Sequence, residues 1–325
     1  MKINKVFEKI KGKKIIIIGD SMVDSYVLGE INRNSPEAPV PIVDVKQEDT
    51  KLGGAANVAL NIKSLGMEPI LCSVIGDDKD GENFLKLCKK NNLDTTGIII
   101  DEHRKTTNKK RVIVNKKHIL RIDNEETNYI EPEIREKFVN NIEKLISNNK
   151  IIIFQDYDKG VISKELIEEI NKIDHLFIAV DPKKRNFFEY KNVDLFKPNL
   201  SEMLNAFNSK DDSIKNLNTI SDELKSKNNI KNLMITLSDN GLLINNDAGF
   251  IHNKIENKKI IDVSGAGDTV IALATILFYL KLPEKFIAEM CNLAGGITCM
   301  SSGVSAINLK ELLENSERNN LDVYL

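Results

Sequence analysis

The sequence Asp262-Val263-Ser264-Gly265-Ala266-Gly267-Asp268-Thr269 leads into an apolar run from Val270 to Leu280. The run predicts a buried helix, and the small residues before it let backbone N–H groups converge at its N-terminus. Such a nest suits an anion, especially a phosphoryl group in transfer. Asp268 would lie in the first turn of this helix and could take a proton from an attacking hydroxyl. The alternative is a glycine-rich turn in which an Asp caps the helix.

Short apolar runs that end in a polar residue or a glycine recur along the chain. Ile15-Ile16-Ile17-Ile18 is followed by Gly19-Asp20, and the pattern returns in the runs 69–75, 151–154, 176–180, 195–196 and 233–237. Helical patterns lie between them, over residues 54–65, 81–91, 131–148, 163–172, 201–207 and 214–227. This order predicts an α/β fold with a mostly parallel central sheet and helices on both faces. Ligands of such sheets bind at the carboxyl ends of the strands.

Two stretches break this pattern because they alternate apolar and polar residues. One covers about residues 25–45 around the turn 35–39, and the other covers about residues 104–123 around the turn 115–118. Alternation is typical of strands with one solvent-exposed face. We therefore expect a small β-strand lid over the carboxyl edge of the central sheet, within one domain that covers residues 1–325.

Three further segments could contact a ligand. Gly53-Gly54-Ala55-Ala56-Asn57 permits close backbone approach and offers an amide, or forms only a tight turn. Asn199-Leu200-Ser201-Glu202 could hold hydrated Mg²⁺ from one helix face, or form a capping box. The segment Thr236-Leu237-Ser238-Asp239-Asn240-Gly241 could contact a nucleotide phosphate, or form an ordinary hairpin turn.

The composition is that of an ordinary globular protein. The 325 residues are 41% hydrophobic and 29% charged, and the formal net charge of -2 argues against nucleic-acid binding and polybasic membrane association. No apolar stretch approaches the ~20 residues of a membrane-spanning helix, and the charged N-terminus carries no secretory signal. The cysteines form no Cys-x-x-Cys pair, and the histidines lack metal-ligand spacing. We expect buried free thiols and a cytoplasmic protein.

The glycine-rich segments together resemble the two signatures of the ribokinase-like (PfkB) carbohydrate kinases. Gly53-Gly54-Ala55-Ala56-Asn57 corresponds to the first signature and residues 262–268 to the second, over nearly the whole chain. The resemblance implies a ribokinase-like three-layer α/β/α sandwich that phosphorylates a carbohydrate with ATP and Mg²⁺, and it leaves a monovalent-cation requirement open. A dinucleotide-dependent dehydrogenase is not expected, because the first strand lacks the full Gly-x-Gly-x-x-Gly fingerprint.

Residue roles follow from this resemblance. Asp268 would be the catalytic base, with Gly265, Ala266 and Gly267 as the anion hole. The nucleotide would be bound by Asn199, Leu200, Ser201, Glu202, Thr236, Ser238, Gly241 and Asn292. Among these, Asn199 and Glu202 would organise Mg²⁺ through water. Ser238 is a departure, because many family members have a glycine at this place in the nucleotide loop.

A narrower resemblance is to the kinases of D-glycero-β-D-manno-heptose 7-phosphate. It rests on the segments 33–41, 120–123, 156–160 and 262–271. This resemblance implies phosphorylation of the anomeric C1 hydroxyl to the 1,7-bisphosphate, in ADP-heptose and lipopolysaccharide core biosynthesis. Many bacteria fuse such a kinase to a nucleotidyltransferase domain; because this chain ends at Leu325, we expect the stand-alone form.

The expected substrate site combines carboxylates, glycines and basic residues. Its sugar contacts would come from Asp20, Asp24, Gly53, Gly54, Asn57, Asp156 and Asp181. The substrate's phosphate would be bound by Arg33, Lys109, Arg111, Arg121, Lys159 or Lys183, each of which could instead be solvated surface charge. Related kinases often pair through such lids, so we expect a homodimer. Another sugar or sugar phosphate is the alternative within the fold, and a non-catalytic sugar or nucleotide sensor is the alternative from another class.

Overall fold

The apolar runs of the sequence form a large central sheet. The structure is a computed structural model that describes residues 2–146, 149–255, 262–300 and 303–325. In these ranges the strands of the sheet are β1 (Lys14–Gly19), β4 (Glu68–Gly76), β5 (Asp94–Asp101), β8 (Ile151–Gln155), β9 (Phe177–Asp181), β10 (Leu195–Phe196), β11 (Asn232–Thr236), β12 (Leu242–Asn246) and β13 (Gly249–Asn253). Their order is β13-β12-β11-β10-β9-β8-β1-β4-β5, and only the β11–β12 and β12–β13 pairs are antiparallel. The predicted mostly parallel sheet is confirmed.

Helices cover both faces of this sheet. They are α1 (Ile3–Glu8), α2 (Ala55–Ser64), α3 (Lys79–Lys90), α4 (Pro132–Ile146), α5 (Lys164–Asn171), α6 (Leu200–Ala206), α7 (Ile214–Asn228), α8 (Ala266–Tyr279), α9 (Glu284–Cys299) and α10 (Leu309–Arg318). Ile15 and Ile17 of β1 belong to the core shared with α2, α8 and α9, whereas Ile16 belongs to the core shared with α4, α5 and α7. Because both faces are buried, every position of β1 after Lys14 is apolar or glycine.

The alternating stretches form a second, smaller sheet. Its strands are β2 (Ser21–Asn34), β3 (Pro41–Gly54), β6 (Asn108–Val114) and β7 (Lys117–Asn124), in the order β3-β2-β6-β7. Asn115 and Lys116 connect β6 to β7 with φ of 50° and 63°, as a tight hairpin turn requires. The sheet is longer than the stretches 25–45 and 104–123, because β2 starts directly after the end of β1 and β3 runs on to α2.

Each helix that the sequence predicted is present, with small differences at its ends, whereas α1 and α10 were not predicted. The helix expected over 131–148 is described as Pro132–Ile146, and its predicted end at residue 148 lies outside the described residues. Among the helices of the described chain, none combines the length and the apolar character that crossing a bilayer requires.

Candidate active site

A cavity opens at the carboxyl edge of the large sheet, where the polar strand ends meet the start of α8. Its volume is about 380 Å³. Its lining includes residues that the sequence analysis assigned to the nucleotide and to catalysis: Asn199, Glu202, Thr236, Ser238, Gly241, Asn292 and the segment 265–268. It also includes Asp181 and Lys183, which the sequence analysis assigned to the substrate. Leu242, Val270 and the α9 residues Cys291, Gly295 and Cys299 form a less polar part of the wall. Leu200 and Ser201 line a smaller depression that shares Asn199, Thr236 and Ser238 with this cavity.

The N-terminus of α8 forms one wall of the cavity. Gly265 is its N-cap and has a φ of +81°, a left-handed conformation that glycine adopts without strain. The alternative of an Asp N-cap is therefore wrong. The Ala266 N–H donates to the Val263 carbonyl at 3.3 Å, so this member of the expected anion hole is already hydrogen-bonded. The N–H groups of Gly267 and Asp268 precede Thr269, whose N–H donates the first intrahelical hydrogen bond, to the Gly265 carbonyl. They therefore have no acceptor within the helix and lie at the positive end of its dipole.

The carboxylate of Asp268 is buried and accepts hydrogen bonds from three side chains. Oδ2 accepts from Asn57 Nδ2 at 2.7 Å, and Oδ1 accepts from the Tyr157 hydroxyl at 2.8 Å and from Gln155 Nε2 at 3.1 Å. Burial raises the pKa of Asp268 to about 6, although the hydrogen bonds from Asn57 and Tyr157 oppose this shift. Such a carboxylate is ionised at neutral pH and is a stronger base than an exposed Asp.

Two lysines stand beside this carboxylate and are paired with acids. Lys197 Nζ lies 3.0 Å from Asp181 Oδ2, and a Cβ at Gly267 would be only 3.8 Å from the same Nζ. Lys183 forms an ion pair with Glu202 and lies 3.8 Å from Asp181. Burial lowers the pKa of Lys183, but Asp181 and Glu202 outweigh it and leave the pKa raised. Lys183 therefore stays protonated at neutral pH, and the ion pairs of both lysines lie in the wall beside the nest.

Asn199 and Glu202 form the capping box that was the alternative to a metal site. The Glu202 N–H donates to Asn199 Oδ1 at 2.8 Å, and the Asn199 N–H donates to Glu202 Oε2 at 2.8 Å. Each carboxylate oxygen of Glu202 keeps a second lone pair, because Oε1 is used by Lys183 alone. Each remaining lone pair can accept an O–H of a water molecule bound to Mg²⁺ while the cap stays in place. The pair therefore fits Mg²⁺ in the water-mediated form.

The inner face of the small sheet carries charged residues toward the large sheet. Asp24 is buried and forms an ion pair with Arg111, whose guanidinium lies over the ring of Tyr26, 5.5 Å from its centroid. Tyr26 accepts a hydrogen bond from the Val304 N–H at 3.0 Å, which joins this face to the loop before α10. A Cβ at Gly53 would collide with Asp24 Oδ2, so the glycine makes room for this carboxylate.

Lys109 and Lys159 come together around one acid. Glu125 accepts from Lys109 Nζ at 3.2 Å and from Lys159 Nζ at 2.7 Å. Lys109 pairs in register with Asp24, and Lys159 is two residues from Tyr157, so the cluster lies between the small sheet and the loop that reaches Asp268. Two largely buried ammonium groups this close together form a site that a phosphate could share.

Two expected sugar contacts have other partners. Asp20 accepts the backbone N–H groups of Tyr157, Lys159 and Val161 at 2.8–3.0 Å. Asp156 accepts from Asn186 Nδ2 and the Tyr190 hydroxyl, both at 3.0 Å. Both carboxylates are buried and hold the loop 156–161 in place, so we no longer expect them to contact sugar.

Two expected phosphate contacts lie outside the site. Arg33 is exposed near the far end of β2, nine residues from Asp24, or about 30 Å along an extended strand. Arg121 is exposed and forms two 2.9 Å hydrogen bonds with Asp123. Neither arginine lines the cavity of its own chain, because the length of β2 carries Arg33 away from the carboxyl edge and Arg121 lies on the exposed edge strand β7.

Sequence reasoning missed Gln155, Tyr157, Lys197 and Glu125. For the first two a signal was present, because side chains alternate along a strand and its extension. If Asp156 at the end of β8 faces one side of the sheet, its neighbours Gln155 and Tyr157 must face the other side. The structure places Asp156 toward Tyr190 and its two neighbours toward Asp268.

Scattered histidines and acids form no further metal site. Within the part of the chain that the structure describes, no three His, Cys, Asp or Glu side chains are arranged to hold a metal ion. Cys72, Cys88 and Cys291 are free and buried, whereas Cys299 is only partly buried.

Comparisons with known proteins find relatives over most of this chain. The family model described as "pfkB family carbohydrate kinase" matches residues 13–311. "Bifunctional protein HldE" of Helicobacter pylori is 36% identical over 303 residues, which are 92% of this chain and 65% of that protein. The chain thus spans less than two thirds of the length of this curated relative.

Solved structures share the fold at low sequence identity. Phosphofructokinase-2 from Escherichia coli in complex with fructose-6-phosphate has a TM-score of 0.77 at 15% identity, covering 94% of this chain and 97% of that one. Ribokinase from Thermotoga maritima has a TM-score of 0.71 at 17% identity, covering 94% and 99%. The predicted ribokinase-like fold is therefore confirmed.

Gly295 tests whether the less polar wall binds a nucleotide base. A Cβ at this position would lie 3.4 Å from Val270 Cγ2, so Gly295→Ala should fit, whereas Gly295→Leu should fill the cavity. We expect the leucine variant to weaken ATP binding at least about tenfold, or ~1.4 kcal/mol, in calorimetry. Equal affinity of both variants, with unchanged melting temperatures, would place the base elsewhere.

Proposed function

We infer the reaction of this chain from one premise: the chain belongs to the pfkB family of carbohydrate kinases. It is an ATP-dependent sugar kinase. We propose that its acceptor is the anomeric C1 hydroxyl of D-glycero-β-D-manno-heptose 7-phosphate and that its product is the 1,7-bisphosphate. The segments 33–41, 120–123 and 156–160, which resemble heptose 7-phosphate kinases, support this acceptor, and so does the similarity to HldE. The reaction would serve ADP-heptose and lipopolysaccharide core biosynthesis.

The observation that carries the proposal is the buried Asp268 carboxylate in the first turn of α8. Asp268 would take the proton of the C1 hydroxyl as the C1 oxygen attacks the γ-phosphorus of ATP in line, and ADP would leave with the electrons of the broken P–O bond. First-turn N–H groups of α8 and the ammonium of Lys197 would stabilise the charge on the transferred group. Mg²⁺, organised through water by Asn199 and Glu202, would neutralise the ATP phosphates when it is bound.

The acceptor end of the site contains a buried polar atom without a hydrogen-bond partner. Asn57 donates to Asp268 through Nδ2, and its buried Oδ1 has no hydrogen-bond partner among the described residues. A sugar hydroxyl next to the reacting one would satisfy this oxygen. The small sheet would cover the sugar and exclude water, so that transfer to sugar outcompetes hydrolysis.

Replacing the base gives the direct test of the mechanism. Asp268→Asn keeps the size of the side chain but removes the proton acceptor, so we expect kcat to fall about a thousandfold with ATP affinity nearly unchanged. In the parent enzyme the base is protonated below its pKa of about 6, so kcat/KM should fall as the pH drops through 6. ADP release and calorimetry measure both effects. Near-parental turnover of Asp268→Asn would exclude this role.

The acceptor is identified by measuring ADP release with Mg-ATP against heptose 7-phosphate, fructose 6-phosphate, fructose 1-phosphate, ribose and no sugar. We expect turnover on heptose 7-phosphate alone. Turnover on another sugar keeps the kinase and replaces the acceptor. No ADP release with any of these sugars, while the protein still binds ATP, would favour a non-catalytic sensor. Parallel assays in potassium and sodium salts show whether a monovalent cation is required.

Lys109 and Lys159 are proposed to bind the phosphate that the acceptor already carries. Lys109→Met and Lys159→Met should each raise the KM of the sugar phosphate about tenfold or more, because a hydrogen bond to a charged group contributes about 1.5–3 kcal/mol. Their effect on the KM of ATP should be small. Lys46→Met is the matched control, since Lys46 is an exposed lysine of the same small sheet, paired with Glu30. Equal KM values in all three variants would contradict the assignment.

We further propose that two copies of the chain pair through their small sheets. Every residue of β7 is exposed, and Leu120 and Ile122, at alternating positions, are about half exposed. They point away from the face that carries Lys109 and Arg111, and a second copy would cover them. Exposed apolar residues on an edge strand are typical of such contacts.

Light scattering after size exclusion tests this pairing. The parent should have twice the chain mass of 36.6 kDa, and Leu120→Glu with Ile122→Lys should reduce it to one chain. Val323→Lys is the control, because Val323 is also exposed but lies near the C-terminus, outside the small sheet. A parent of 36.6 kDa would exclude the dimer.

A further inference from the structure

The two oxygens of the Asp268 carboxylate have unequal surroundings. A carboxylate oxygen has about two lone-pair directions for hydrogen bonds. Oδ1 uses both, for the Tyr157 hydroxyl at 2.8 Å and Gln155 Nε2 at 3.1 Å. Oδ2 uses one, for Asn57 Nδ2 at 2.7 Å. Among the described residues, Oδ2 therefore keeps one open acceptor direction and Oδ1 keeps none.

The two donors to Oδ1 are held in place by neighbouring groups. Asp20 accepts the Tyr157 N–H at 2.8 Å and thus fixes the backbone that carries this ring. The Lys183 ammonium lies 5.4 Å from the centroid of the same ring. Gln155 is the last residue of β8 and also approaches Asp181 Oδ2 at 3.4 Å, which ties it to the ion pair with Lys197.

Tyr157 can only donate in this arrangement. Burial and the nearby Asp268 raise the pKa of its hydroxyl well above the usual value, so the proton stays on Tyr157 throughout the working pH range. Asp268 is the proton acceptor of the pair, and the hydrogen bond stabilises its ionised form.

We propose that Tyr157 and Gln155 are positioning residues that occupy Oδ1 of Asp268 and thereby make Oδ2 the atom that accepts the proton of the sugar hydroxyl. This inference rests on the proposed role of Asp268 as the base. Protonation at Oδ1 would require one of its two donors to move away, whereas Oδ2 accepts a proton without any rearrangement. The side of the carboxylate that faces Asn57 is then the side at which the acceptor hydroxyl must lie.

Removing one donor should change the base without changing the cavity. Tyr157→Phe keeps the ring beneath Lys183 but loses the hydrogen bond that favours ionised Asp268, so the pKa of Asp268 should rise. The acid limb, meaning the part of the pH profile where kcat/KM falls as the pH drops, should therefore move to higher pH by about one unit. At a fixed pH well below 6, this shift lowers kcat/KM roughly tenfold. The KM of ATP should stay the same.

Matched variants separate this role from packing. In Tyr129→Phe the lost hydroxyl bonds Asn186 at 3.2 Å and no carboxylate, so its acid limb should coincide with that of the parent. Gln155→Leu removes the second donor to Oδ1 at similar volume and should move the limb in the same direction as Tyr157→Phe. This second variant keeps the test open if Tyr157→Phe fails to fold. An acid limb that stays in place in both site variants would overturn the inference, even if kcat falls.

A measurement without sugar distinguishes this inference from the proposed function. The ¹³Cγ titration of Asp268, assigned by its loss in Asp268→Asn, reports the pKa of the carboxyl directly. We expect a higher value in Tyr157→Phe than in the parent. If Asp268→Asn keeps its turnover, the proposed role of Asp268 as the base fails. If Asp268→Asn is inactive but the ¹³Cγ titration of Tyr157→Phe matches the parent, only the inference about Oδ1 fails.

Discussion

The buried carboxylate of Asp268 is the constraint on which the site depends. A buried charge is tolerated only when it is hydrogen-bonded, and here its donors come from three separate elements: α2, the end of β8 and the loop that follows β8. Asn57 is 211 residues away from Asp268 in the chain, and Tyr157 is 111 residues away. Satisfying one carboxylate therefore brings the two signature segments and the end of a central strand together at the start of α8.

The basic side chains at the site form ion pairs with acidic side chains. Lys197 is paired with Asp181, Lys183 with Glu202, Lys109 and Lys159 with Glu125, and Arg111 with Asp24. A buried cation without a partner would be costly, so each of these cations is paired with a carboxylate. In the proposed reaction both substrates carry phosphate, and the lysines have partners that a phosphate could replace at two separate places. This arrangement accounts for a site that contains almost as many acids as bases.

The alternation of side chains explains where sequence reasoning succeeded and where it failed. Strand ends were identified correctly because a parallel strand covered on both faces must be apolar until it reaches the edge of the sheet, as β1 shows. At the end of β8 the sequence analysis assigned Asp156 to the site because it is an acid, yet the groups that reach Asp268 are the uncharged Gln155 and Tyr157. Asp156 and Asp20 are instead part of the support of the loop. The motif was recognised, but residue type alone could not say which of its members faces the cavity.

The sequence by itself determined the α/β fold, the nest before α8, the family and many of the residues that line the cavity. These follow from local patterns, because an apolar run, a glycine turn and a helix start are each encoded by a few neighbouring residues. Only the tertiary structure decided which carboxylates are used up by backbone amides, which basic residues reach the cavity, and which donors surround Asp268. Arg33 and Lys109 look equivalent in the sequence, but strand length and register place one at the far end of β2 and the other beside Asp24. Such differences depend on contacts between residues far apart in the chain, and local patterns carry no information about them.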